Sequence, residues 1–179
     1  NFDKIVIVCK ISYFKYFKNL EHNFPSVKFI FTQAGKNRQS SSYNALKCLK
    51  IFNPNYVLIH DAARPFCSNN LIIRILKSLK KNSSAIPYII NTDKKMILKK
   101  DFNQNIKLIQ TPQGFKFQTI FEAHKNALIK NARDASSLIT EEKMNFVKGE
   151  KFNYKITYAD DLHYFKLFLK PIYKSGIGY

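Results

Sequence analysis

The stretch "NYVLIHDAARPFC", Asn55–Cys67, decides the fold class. Tyr56–Ile59 is a short continuous apolar run, the pattern of a strand covered on both faces. It runs into a histidine, an acid, two alanines, a base and a proline. Two readings of Asp61 and Arg64 are open on these residues alone. One is a turn with a surface ion pair. The other is a sheet edge that presents charge to a phosphorylated ligand, since open α/β sheets bind ligands beyond the carboxyl ends of their strands.

The flanking sequence favours the sheet edge. "KIVIVC" (Lys4–Cys9) and "VKFIF" (Val27–Phe31) have the same strand pattern. Between them "SYFKYFKNL" predicts an amphipathic helix with Ser12 as its cap. "SYNALKCLKIF" places Tyr43, Leu46, Leu49 and Phe52 on one helical face. "NNLIIRILKSLKK" does the same with Leu71, Ile72, Ile75, Leu76 and Leu79. "SSAIPYII" reads as a strand interrupted by Pro87, "IKLIQ" as an extended segment and "FKFQTIFEAHKNALIK" as a helix. "ASSLITEEK" then reads as a shorter helix, "MNFVKG" as a strand, and "YADDLHYFKLFLK" as a closing helix capped near Thr157. Alternating strands and helices predict an α/β, Rossmann-like fold: a mostly parallel sheet with helices on both faces. Lys4–Cys9, Val27–Phe31 and Tyr56–His60 are expected as neighbouring strands of one sheet.

Composition narrows the function classes. The chain has 179 residues, enough for one domain with a core. Its 30 Lys and Arg against 12 Asp and Glu give a formal charge of +18, which favours anionic partners. The cations are Lys-rich and dispersed, without the clustered Arg and stacking platforms of a nucleic-acid module, so that class is disfavoured. Cys9, Cys48 and Cys67 form no CxxC pair, which disfavours a zinc knuckle and suits a reducing, cytoplasmic setting. No apolar run reaches the ~20 residues of a membrane span.

Several residues are candidates for chemistry. Gly35 allows close backbone approach in the polar loop "TQAGKNRQSSS". Ser40, Ser41 and Ser42 precede the next helix, where they read equally as ordinary caps or as anion contacts. Asp61 has two open roles, Mg²⁺ ligand or acceptor from a sugar or polyol hydroxyl. Arg64 offers a fork to phosphate. His60 reads as a satisfied sheet-edge residue rather than a base. Lys155, in the extended "NYKIT", either points at a phosphate or snorkels. "QTPQGF", Gln110–Phe115, reads as a structural turn into a helix. Neither GxxxxGK[ST] nor GxGxxG occurs.

Together "GKNRQSSSYNAL", "YVLIHDAARP", "LIQTPQGF", "DASSL" and "NYKITYADDL" resemble one family, the 2-C-methyl-D-erythritol 4-phosphate cytidylyltransferases. The blocks match in order and spacing across nearly the whole chain. The resemblance implies a nucleotidyltransferase fold in residues 1–170. It also implies an arm at about 88–107 that makes a homodimer by reaching over the partner's site. The implied reaction joins CMP from CTP to methylerythritol phosphate with Mg²⁺, in non-mevalonate isoprenoid synthesis.

By the same resemblance, Gly35 and Ser41 match the cytidine-recognising loop. Asp61 and Arg64 match residues near the methylerythritol phosphate, and Lys155 matches a lysine that steadies the reacting phosphates. Thr92 and Lys94 align with an arm motif after a one-residue insertion. The family's glycine-rich "LAAGxGxRxG…PKQ" loop, which cradles the triphosphate, has no match in these residues. Ala132 falls on a family threonine and Asn103 on an arm arginine. These departures imply little or no cytidylyl transfer by this chain, and they raise an alternative: a catalytically impaired remnant kept as a dimerisation or structural domain for a fused synthase. "SGIGY", Ser175–Tyr179, resembles the opening of a 2-C-methyl-D-erythritol 2,4-cyclodiphosphate synthase. That implies a fused bifunctional protein, with residues 171–179 as linker and start of the second domain.

Overall fold

A computed structural model describes residues 2–17, 19–91, 106–127, 131–132, 134–163 and 165–166. Strands β1 (Ile5–Cys9) and β2 (Phe29–Gln33) pair in parallel, in the register Ile5 to Phe29. A 3-10 turn at Ile11–Tyr13 and helices α1 (Phe14–Phe17) and α2 (Asn19–Asn23) connect them. Phe14 and Phe17 set their rings 5.9 and 6.4 Å from Phe31, which holds this connection against β2. Ser12 lies inside the 3-10 turn instead of capping a helix, and the turn has no side-chain cap.

Helix α3 (Arg38–Lys50) follows β2 and packs on both β1 and β2. Its cap is Asn37, so Ser40, Ser41 and Ser42 lie inside the first turns and do not precede them. Strand β3 (Tyr56–Ile59) does not join β1 and β2. It pairs antiparallel with β6 (Gln113–Lys116), against the expected parallel trio. Between them come α4 (Asn69–Leu79), capped by the Ser68 hydroxyl, β4 (Ser84–Asn91) and β5 (Ile106–Ile109). Strand β4 continues through Pro87 and pairs antiparallel with β5 and β6. It pairs in parallel with β7 (Phe146–Lys148). The sheet runs β3-β6-β4-β5, with β7 also on β4, and is mixed where the sequence suggested a mostly parallel one.

Strand β6 was the element hardest to see. "QGFK" has one apolar large residue and a glycine, so it reads as a turn. Its burial comes from tertiary packing: Gln113 and Phe115 are buried at the sheet centre. Gly114 is required there, because a Cβ would sit 2.3 Å from Ile75 Cγ2 on α4.

Alternation along β4 sends Ala85 and Ile86 to opposite faces. Ala85 joins Leu71, Ile75 and Leu79 of α4. Ile86 joins Phe115, Leu46 of α3, and Phe117, Ile120 and Phe121 of α5 (Phe117–Lys125). Helices therefore cover both faces, as the sequence implied. The expected helix at 135–143 is two 3-10 turns, Ser136–Leu138 and Glu141–Lys143. The closing helix is present at 159–163. Asp161 caps it by accepting from the Thr157 and Tyr158 N–H groups, while the Thr157 hydroxyl turns back to the Lys155 carbonyl. Residues 128–130, the arm tip with Thr92, Lys94 and Asn103, and the linker at 171–179 lie outside the described residues. Among the described residues no helix is long and apolar enough to cross a membrane.

Candidate functional site

Two loops meet at the carboxyl ends of β2 and β3. After β2, the chain turns at Gly35, whose N–H donates to Ser41 Oγ at 3.0 Å. A Cβ at Gly35 would fall 2.2 Å from Ser40 Oγ, so only glycine fits this approach. Asn37 and Ser40 close a capping box. The Ser40 N–H donates to Asn37 Oδ1 at 2.8 Å, and the Asn37 N–H to Ser40 Oγ at 3.1 Å. The Asn37 amide also donates to Asn131 Oδ1, and the Ala132 N–H donates to Gln39 Oε1 at 2.9 Å. The residues just before the "DASSL" segment are thereby tied to the start of α3. Within that segment, Asp134 Oδ1 accepts from Ser136 and Ser137.

After β3, Asp61 faces this helix start. Arg38 donates to Asp61 Oδ1 from Nη2 at 2.6 Å and from Nε at 3.2 Å. Lys155 Nζ lies 3.3 Å from the other oxygen, Oδ2. Burial raises the Asp61 carboxyl pKa, but the hydrogen bonds and charge of Arg38, then the charge of Lys155, outweigh it. The group is held below the usual carboxylate range. Asp61 is therefore an anion at neutral pH, clamped from both sides.

Arg64 does not take part in that clamp. Its Nη1 donates to the Asn153 carbonyl at 2.7 Å, and its Nε is buried without a hydrogen-bond partner among the described residues. The Ile156 N–H donates to the Ala63 carbonyl at 2.8 Å, so the "HDAARP" loop and the "NYKIT" segment are stitched at two points. "NYKIT" is not a strand, and its extended form rests on these contacts.

The "QTPQ" turn, which includes a cis Thr111–Pro112 bond, holds the assembly from below. The Asp61 N–H donates to Thr111 Oγ1 at 3.0 Å. The Thr111 hydroxyl then turns to His60 Nδ1 at 3.2 Å, leaving His60 Nε2–H to donate to the Arg64 carbonyl at 3.0 Å. Both ring nitrogens are occupied, which fits the reading of His60 as a satisfied edge residue. Gln110 Nε2 donates to the carbonyls of Glu150 and Asn153, and its Oε1 accepts the Glu150 N–H. Asn153 Nδ2 donates to the Thr111 carbonyl at 2.8 Å. The structural role read for "QTPQGF" is what these bonds perform.

The structure thus brings together Gly35, Ser41, Asp61 and Lys155, with Arg64 one loop-turn away. Arg38 is the residue that sequence reading passed over, although it stands between Gly35 and Ser41 in the same motif. A lone arginine at a helix start has no distinctive pattern, and only the fold places it against Asp61. Cys67 is no nucleophile at neutral pH, since burial and the nearby Glu150 charge push its thiol up to about 11. Among the described residues no group of three or more His, Cys, Asp or Glu could hold a metal. Asp61 offers a single carboxylate. That suits Mg²⁺ only where substrate phosphates supply further oxygens.

The family model for IspD, 2-C-methyl-D-erythritol 4-phosphate cytidylyltransferase, matches residues 1–170. The chain is 37% identical to the bifunctional enzyme IspD/IspF of Pelagibacter ubique, over 99% of this chain and 47% of that protein. It is also 37% identical to the cytidylyltransferase of Dictyoglomus thermophilum, over 89% of this chain and 75% of that one. The chain thus spans about half the length of the bifunctional relatives. A solved 4-diphosphocytidyl-2C-methyl-D-erythritol synthase from Anaerococcus prevotii superposes with a TM-score of 0.81 at 26% identity, covering 94% of this chain and 79% of that one. The bifunctional IspDF of Campylobacter jejuni gives 0.71 at 28% identity, covering 90% and 42%. With its Rossmann-like nucleotidyltransferase fold and these motifs, the chain belongs to the IspD family of cytidylyltransferase enzymes of isoprenoid synthesis.

Proposed function

We propose that this domain transfers CMP from CTP to the phosphate of 2-C-methyl-D-erythritol 4-phosphate, releasing pyrophosphate. The observation that carries the reading is the meeting of Asp61, Lys155 and the Gly35–Ser41 turn beyond the carboxyl ends of β2 and β3. The attacking group is already a phosphate anion, so no strong base is needed. What the reaction needs is alignment and cancellation of negative charge. Lys155, half exposed and anchored on Asp61, is placed to meet phosphate. The family resemblance assigns the Gly35–Ser41 turn to the cytidine. Arg64, anchored on Asn153, presents a charged donor for the methylerythritol phosphate, and the family resemblance assigns Thr92 to the same substrate. Among the described residues of the site, Asp61 would be the one carboxylate to face Mg²⁺ bound with the triphosphate, whose own oxygens would complete the ion's shell, and the ion would supply charge neutralisation.

The homodimer is part of the same proposal. The arm's base is the β4–β5 ribbon, which carries Ile90, Ile106 and Leu108 at 48%, 38% and 39% exposure. An apolar ribbon this open suits coverage by a second copy. By resemblance, the full protein continues into a cyclodiphosphate synthase.

One observation favours a second reading, the impaired remnant. Ala132 is buried and offers a methyl where the family has a hydroxyl, and its N–H is committed to Gln39. Pyrophosphate release by the full-length protein, with CTP, methylerythritol phosphate and Mg²⁺, decides between them. Release that needs both substrates and falls at least ~100-fold in Lys155→Ala supports transfer. A folded dimer that releases none supports the remnant.

A further inference from the structure

Each oxygen of the Asp61 carboxylate is claimed by a different cation. Oδ1 takes two donors from Arg38, and Oδ2 takes Lys155. The two grips differ in rigidity. Arg38 is the first residue of α3, fixed by the Asn37 capping box beneath it, and its side chain is two-thirds covered. Lys155 sits on an irregular segment, nearly half exposed, on a flexible stem. Fixing one carboxylate oxygen against a helix start therefore fixes where the other oxygen can hold the ammonium.

We infer that Arg38 is a positioning residue for nucleotidyl transfer: by locking the Asp61 carboxylate to the start of α3, it sets the place of the Lys155 ammonium that meets the reacting phosphates. The inference rests on the transfer reading above. Its chemistry is that of a polyphosphate substrate. Arg38 and Lys155 with Asp61 leave one net positive charge, and Arg64 adds another beside it. Arg38 acts through Asp61, so its effect vanishes when Asp61 can no longer be gripped. A displaced reacting group can cost about 100-fold in rate even when binding survives.

The test uses Arg38→Ala, Arg38→Lys, Asp61→Ala and the double variant Arg38→Ala/Asp61→Ala in the full-length protein, each checked for its melting temperature. Arg38→Ala is expected to lower kcat by roughly 10- to 100-fold with a smaller change in KM. Arg38→Lys should recover only part, since it keeps the charge and loses the fork. The double variant should be no worse than Asp61→Ala alone, which removes both carboxylate oxygens. If kcat and KM are unchanged in Arg38→Ala, or the losses multiply in the double variant, the inference is overturned. If Arg38→Ala does not fold, Arg38→Lys decides by the same split.

A second readout is independent of turnover. The Arg38 Nε–H, which donates to Asp61 Oδ1, should be protected from exchange with solvent in the parent, followed by NMR at one fixed pH, and should lose most of that protection in Asp61→Ala. Equal exchange in the two proteins overturns the grip. Should the parent protein transfer no cytidylyl group, the proposed function fails, while this exchange still decides whether Arg38 holds Asp61.

Discussion

Strand β1 and strand β4 are both written in apolar residues, yet they meet different fates. All five residues of β1 are half buried, and no described residue before Leu46 is fully buried. In β4, Ser84, Ala85 and Ile86 are at 0% exposure, between α4 on one face and α5 on the other. In the N-terminal unit, Ile11, Tyr13 and Tyr16 stand 60%, 49% and 66% exposed. The difference shows that an apolar strand is only as buried as its neighbours make it. β1 has β2 on one edge and α3 on one face. β4 has strands on both edges and helices on both faces.

The largest expected effect tests this directly with one substitution in both regions. Phe115→Ala empties a fully enclosed site and is expected to cost about 3–5 kcal/mol. Phe31→Ala removes a half-buried ring that touches Phe14 and Phe17, and should cost about 1–2 kcal/mol, in proportion to the apolar area lost. Urea unfolding of the two variants measures both. Equal costs would break the comparison, and would show that the N-terminal unit contributes a core of its own.

How much could be read in advance follows the same line. The helices α4 and α5, and the face of α4 with Leu71, Ile75 and Leu79, were legible, because their periodicity coincides with their burial. β3 and α3 were legible as elements, but Tyr56 is exposed, only Leu46 of the expected α3 face is fully buried, and Phe52 lies beyond the helix end and exposed. Motif and strand position pointed to the segments of Gly35, Ser41, Asp61 and Lys155, and the structure brings Lys155 to Asp61 and Gly35 to Ser41. β6 was not, because "QGFK" is buried by its surroundings and carries no strand pattern of its own. The antiparallel partner of β3 followed from that omission. Arg38 was missed because its role depends on the distance between two loops that are far apart in sequence.

The next effect lies on the seam between the regions. His124 of α5 stacks on Tyr43 of α3, with ring centroids 5.9 Å apart and planes within 3°. Both ring nitrogens are buried without a hydrogen-bond partner among the described residues, and burial lowers its pKa from 6.5 to about 4. Lys47 and Lys50 lie over the neighbouring rings of Tyr43 and Phe121, so a proton here gains no counter-charge from them. The unfolded chain takes up this proton near pH 6.5, and the folded chain resists until about pH 4. Stability should therefore fall as pH drops between those values, by on the order of 3 kcal/mol in all. Asp61 contributes in a lower window: its stabilisation holds above its ordinary pKa of 3.8 and is lost as pH falls through its lowered folded value. His124→Phe should flatten the upper window in a urea midpoint series. A parent protein whose midpoint is unchanged from pH 7 to 4 would contradict the account.

The smallest effect compares two helix caps of the same chemistry. Asn37 caps α3 through Ser40, and Ser68 caps α4 by accepting the Leu71 N–H at 3.1 Å. Either alanine variant should cost about 1 kcal/mol, the usual value of a cap. Ser68 also donates to Glu150 Oε1 at 2.8 Å, and Arg74 holds the same oxygen at 2.7 Å, so part of that network survives in Ser68→Ala. The caps should differ in what else is lost. Ser68 starts a helix that carries core residues and touches no residue of the Asp61 cluster, so Ser68→Ala should leave cytidylyl transfer per folded molecule near its parent value. Asn37 stands beside Arg38 and below the Gly35–Ser41 bond, and its amide ties α3 to Asn131. Freeing that first turn loosens both the Arg38 grip and the nucleotide-facing turn. Asn37→Ala should therefore lower kcat several-fold more than its stability loss explains. Asn37→Asp keeps the capping oxygen and adds a charge favoured at a helix start, but gives up the donor to Asn131. Parent-like kcat in Asn37→Asp would mean the cap alone holds the site. An activity shortfall despite recovered stability would place the strain on the link to Asn131. Equal activity in Ser68→Ala and Asn37→Ala would show that the start of α3 is no more coupled to catalysis than the start of α4.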